Sequence, residues 1–152
     1  MSARYVINSG VVALTGTTAK TLANIINSAT GMIRLVEFGV TTDGVTTTAV
    51  PARLDLCTST QATAGTAGGS TIAQIGGRTR TVQATAGYAY TVEPTVLTVV
   101  KSWYIPQLMG SLIIQSPLGR EYEFTDASDG LCLRLTPSAT VNALCYMEFE
   151  EG

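Results

Sequence analysis

MIRLVEFGVTTDGVTTTAVPARLDLCT, residues 32–58, reads as strand, polar loop, strand. Residues 32–40 are dense in β-formers: Ile33, Leu35, Val36, Phe38 and Val40. Residues 52–57 alternate, with Ala52, Leu54 and Leu56 on one side and Arg53 and Asp55 on the other. A period of two marks a strand with one buried face. Between them, residues 41–50 carry Asp43-Gly44 as a turn signal. Pro51 stands at the entry to the second strand, where a missing N–H does least harm. The unit is either a long hairpin or an arch from one sheet to another.

The same period returns at the C-terminal end. Leu131, Leu133 and Leu135 alternate with Cys132, Arg134 and Thr136. After a turn at Pro137-Ser138-Ala139, Val141, Ala143, Cys145, Met147 and Phe149 alternate with Asn142, Leu144, Tyr146, Glu148 and Glu150. This predicts a C-terminal β-hairpin with one apolar face. Further strands are expected in residues 95–105, 112–115 and 121–124. Residues 19–28 are ambiguous. Leu22, Ile25 and Ile26 have helical spacing, whereas Thr18, Thr21 and the turn after Ser28 suit a strand, which the β surroundings favour. Residues 1–10 read as an N-terminal arm or edge strand, and residues 11–152 as one domain. Residues 59–86 are Thr, Ala and Gly with little else. They read as an extended loop excursion with at most a short strand near residues 79–83, either functional or mobile. The expected fold is all-β: a single β-sandwich or jelly-roll-like domain with a long Thr/Ala/Gly-rich loop.

Composition narrows the function. Charged residues are 13% of the chain, about half the ~25% of an average soluble domain. No run of eighteen apolar residues offers a membrane helix, and residues 1–14 have no secretory pattern. Few charges with many Thr, Ala and Gly point to surface buried by assembly. A net charge of −2 argues for neither direct nucleic-acid nor membrane binding. Three cysteines cannot form a complete set of intrachain disulfides, which favours production in a reducing compartment.

Chemistry finds little footing. With no histidine, the Ser-His-Asp and Cys-His arrangements and His-based metal sites are excluded. Glu121, Glu123, Asp126 and Asp129 form a carboxylate cluster that lacks calcium-loop spacing and reads as a solvated turn. Trp103 and Tyr104 are either core or a platform for a sugar. Candidate assembly contacts are Arg4 and Tyr5 in the arm, Asp43 in the turn, and Arg78 and Arg80, which suit a phosphate or bridge subunits.

Taken in order, residues 35–39 (LVEFG), Asp43-Gly44, residues 51–56 (PARLDL), Ser102-Trp103, Pro106, residues 131–135 and the ending YMEFEE (146–151) carry a likeness. The chain resembles the small β-rich decoration, or cement, proteins of tailed double-stranded DNA phage heads and their prophage relatives. The likeness spans most of residues 13–151 and is least in 59–83. It implies a β-sandwich subunit, a homotrimer, seated where capsomers of the major capsid protein meet on the outer surface of the virion. It implies no catalysis and no cofactor. The rival expectation is a phage tail or fibre module that binds a host glycan.

Overall fold

The computed structural model describes residues 2–28, 30–45, 50–60 and 65–152. Those residues form eleven strands in two antiparallel sheets, and no helix. The first sheet runs β1 (Ala3–Leu14), β11 (Val141–Glu151), β3 (Ile33–Thr42), β8 (Ser111–Gln115). Short β5 (Ala73–Gly76) flanks β1, and β9 (Tyr122–Phe124) also pairs with β3. The second sheet runs β6 (Thr85–Tyr88), β2 (Lys20–Ile26), β10 (Gly130–Thr136), β4 (Ala52–Ser59), β7 (Leu97–Ile105). Orders 1-11-3-8 and 2-10-4-7 face each other, the eight-strand jelly-roll form of a β-sandwich.

The core follows from the alternation. Inward residues of β11, from Val141 to Phe149, meet Leu54 and Leu56 of β4 and Leu131, Leu133 and Leu135 of β10 in one cluster. Phe149 is 1% exposed and stacks on Tyr5 with ring centroids 5.6 Å apart. Trp103 packs against the cluster and meets Phe38 at 5.7 Å. The ambiguous residues 19–28 hold β2, a strand. Their helical spacing is overridden because almost every residue of β2 is buried, so apolar positions recur on both faces.

Four expectations narrow or change. The C-terminal strands do not form a hairpin: β10 and β11 lie in different sheets, and the turn at residues 137–139 crosses between them. The unit at residues 32–58 is likewise an arch, from β3 to β4; residues 46–49 of its loop lie outside the described residues. Residues 3–10, read as part of an arm or an edge strand, belong to β1, which pairs along its length with β11. A bulge at Ser9-Gly10 joins them to residues 11–14, with Gly10 at a φ of 61° that favours glycine.

The fourth change concerns residues 59–86. They hold β5 and the start of β6 but no strand at 79–83; residues 61–64 lie outside the described residues. Ile72, Val82, Ala84 and Ala86 pack on the core. The fully buried Glu151 carboxylate accepts backbone N–H bonds from Gln83 at 2.9 Å and Ala84 at 2.6 Å. The Tyr5 hydroxyl donates to the Arg80 carbonyl at 3.0 Å.

The outer face of the first sheet is set by cross-strand rows. Tyr146 stands opposite Gly39, and a Cβ on Gly39 would come within 2.3 Å of the Tyr146 ring. Glycine here makes room for the ring, whose hydroxyl donates to Glu37 Oε1 at 2.6 Å. Burial, and then the Glu37 carboxylate, push the Tyr146 phenol up to about 12.

Two measurements check this account. Phe149→Ala is expected to destabilise the fold by about 3–5 kcal/mol in urea titration; a loss under about 1 kcal/mol would mean that this face is not core. The second concerns alkali. Below about pH 10, the ordinary tyrosine value, both folded and unfolded chains keep the Tyr146 proton and its contribution is complete. Between about 10 and 12 the unfolded chain has lost a proton that the folded chain keeps, so stability falls as pH rises. Tyr146→Phe is expected to flatten that part of the decline, and an identical alkaline profile would refute it.

Candidate functional site

The loops at one end of the sandwich are tied together by polar side chains. Gln107, 3% exposed, donates from Nε2 to the Val50 carbonyl at 3.2 Å and accepts at Oε1 from the Ser138 and Ala139 N–H groups. Thr42 Oγ1 donates to the Gln107 carbonyl at 3.0 Å and accepts from the Gly110 N–H at 3.0 Å. The Asp43 carboxylate accepts from both the backbone N–H and the side-chain amide of Asn142, each at 2.8 Å. The Asn142 amide, then its backbone N–H, hold the Asp43 carboxyl below the usual carboxylate range. The described ends of the β3–β4 connection are thereby tied to the β7–β8 and β10–β11 connections in one corner.

Against this corner, the outer face of the first sheet turns apolar. Val11 is opposite Leu144, and Leu144 opposite Thr41, in one row. Val11 is 69% exposed, Leu144 48%, Ile113 61% and Met109 81%. A cleft of about 500 Å³ runs between Val11, Val45, Met109 and Leu144, and a smaller one of about 220 Å³ adjoins it at Ile113 and Tyr146. Asp43 is the one charged residue lining either cleft among the described residues, and Asn142 already satisfies it.

The other half of the same face is charged. Arg4 pairs with Glu148 at 2.8 Å and Arg34 with Glu123 at 3.0 Å, both partly exposed. Such pairs add little stability, but they give the face a polar half and an apolar half.

The candidate contacts separate on this frame. Arg4, Arg78 and Arg80 gather at the β5 edge, where Gln74 Nε2 donates to the Arg78 carbonyl at 2.8 Å and all three arginines are exposed. Tyr5 is a correction: at 2% exposure it is core, and only its hydroxyl reaches the arginine turn. Its place in β1 puts it on the inward parity with Ala3 and Ile7. Asp43 lies at the opposite end of the sheet, beside the apolar corner. The corner itself was not singled out from the sequence. The available signal was Leu144, an apolar residue on the outward parity of β11, between Asn142 and Tyr146.

The acids at 121–129 do not converge. Glu123 pairs with Arg34, and the Asp126 carbonyl accepts from Asn27 Nδ2 at 3.2 Å. Among the described residues no group of three acids or cysteines is placed to hold a metal ion.

No family model matches the sequence, and no curated protein matches it. Among solved structures the chain is similar to the infectious bursal disease virus VP2 subviral particle, at 9% identity and a TM-score of 0.23, over 99% of this chain and 40% of that one. It is similar to a structure of the infectious bursal disease virus Gx strain at 12% identity and a TM-score of 0.15, over 99% and 39%. The chain thus spans about two fifths of the length of these proteins.

Proposed function

We propose that this protein is a non-catalytic structural component of a virion. It decorates the outer surface of a tailed-phage head as a homotrimer and clamps neighbouring major capsid protein subunits. The apolar corner of the first sheet carries the reading. Val11, Ile113, Met109 and Leu144 lie exposed together on a rigid frame, and contiguous exposed apolar surface marks a protein contact. The frame matters because a clamp that needs no ordering on binding loses less entropy. Such a clamp strengthens a shell only if it binds the expanded lattice more tightly than the unexpanded one. The order of motifs in the sequence supports the same reading.

A second reading has its own observation. Tyr104 is 73% exposed, opposite Arg53, whose guanidinium meets the Asp55 carboxylate at 3.0 Å. An open aromatic beside fixed hydrogen-bonding groups suits a sugar ring, as in a tail or fibre glycan-binding module.

Co-sedimentation with capsids and light scattering on the pure protein decide between them. Under the first reading the protein is trimeric at micromolar concentration and travels with capsids. Leu144→Glu is expected to cut capsid occupancy or trimer formation at least tenfold, with stability changed by about 0.5 kcal/mol or less, because Leu144 is a surface residue. Tyr104→Ala is expected to leave occupancy unchanged. A clean monomer that binds glycans through Tyr104 and ignores capsids would replace the first reading by the second.

A further inference from the structure

Cys57 of β4 and Cys132 of β10 stand directly opposite each other in the antiparallel ladder. Both point to the outer face of the second sheet, away from the core cluster, in the same row as Asn24 of β2 and Val99 of β7. Both are fully buried and unoxidised. Opposed residues in such a ladder have Cα atoms about 4.5–5.5 Å apart, inside the ~4.4–6.8 Å that a disulfide spans.

We propose that Cys57 and Cys132 are a cross-strand dithiol that a peroxide closes to a disulfide. The neighbourhood assigns the roles. The adjacent Cys132 thiol, with Arg134 and Arg53 nearby, lowers the Cys57 thiol against burial and the Asp55 carboxylate, which raise it, while Cys57 and burial push Cys132 up. Cys57 is therefore the attacking sulfur and Cys132 the resolving one. The Cys57 thiolate attacks one peroxide oxygen and the O–O bond breaks. Hydroxide leaves and takes up the proton released by Cys57, giving water and a sulfenic acid. The Cys132 sulfur then attacks the Cys57 sulfur, the S–O bond breaks, and hydroxide leaves with the Cys132 proton as a second water. Two thiols and one hydrogen peroxide give one disulfide and two waters. The sulfurs lose two electrons and the peroxide oxygens gain them.

Access is through β7. Cys57 pairs with Val99, beside a register shift, and among the described residues β7 has no neighbouring strand on its far side. Opening an edge strand uncovers Cys57 without opening the sandwich. Cys145 has neither feature. It lies in the core cluster, where burial pushes its thiol up.

The test uses the folded wild-type protein and hydrogen peroxide. Thiols counted after denaturation are expected to fall from three to one, with a mass loss of two hydrogens reversed by dithiothreitol. Peptide mapping without reductant is expected to join the peptides that carry Cys57 and Cys132 and to leave Cys145 free. In Cys132→Ser, dimedone is expected to trap a sulfenic acid at Cys57; in Cys57→Ser, no label is expected at Cys132. Three thiols persisting under an exposure that oxidises the urea-unfolded chain would overturn the proposal. So would a link to Cys145. The wild-type map decides even if neither variant folds.

Discussion

A single buried carboxylate ties the periphery of this molecule to its centre. Glu151 ends the inward row of β11, fully buried, where a bare charge would be very costly. It is tolerated because the N–H groups of Gln83 and Ala84 converge on it. Those two residues lie between β5, which flanks the first sheet, and β6, which flanks the second. One hydrogen-bonded charge thereby converts a stretch of Thr, Ala and Gly into part of the sandwich. The arginine turn at residues 78–80 inherits its position from this and from Tyr5.

The resulting surface is divided. At one end of the first sheet the outward rows are Arg4, Arg34, Glu37, Glu123 and Glu148, paired among themselves or with Tyr146. At the other they are Val11, Ile113 and Leu144 beside Met109. The register of β1, β11, β3 and β8 brings these residues together from four separate parts of the chain. The jelly-roll order itself places the apolar half next to the loop corner that Gln107 and Thr42 hold rigid.

Much of the fold was legible because burial writes a period of two. Leu131, Leu133 and Leu135, and the inward residues of β11, fall on the core side as their alternation requires. Turn chemistry was legible only in part. Pro137-Ser138-Ala139 marks where the chain reverses, but the same residues serve a hairpin and a crossing between sheets; the choice depends on partners far away in sequence. The packing of residues 72–86 was hidden for a related reason. Their small side chains carry little hydrophobic signal, and what orders them is Glu151, sixty-seven residues beyond Ala84. Tyr5 was read as an assembly contact because residues 1–10 read as an arm or edge strand, whereas its ring serves the core and only its hydroxyl reaches the edge. The candidate site was the least legible part, since it is a product of register.

The strand order also governs how the molecule is born. β11 is the inner neighbour of both β1 and β3, and β10 of both β2 and β4. During synthesis, residues 130–151 leave the ribosome after the other nine strands of the described residues. Until then only flanking pairs such as β2–β6, β3–β8 and β4–β7 can form, and β1 has no long partner. Closing the sandwich must therefore wait for residues 130–151 and for contacts of long range, a slow process that leaves apolar strand faces open to other nascent copies. A cell making this protein in quantity meets an aggregation hazard in the seconds before residues 130–151 arrive.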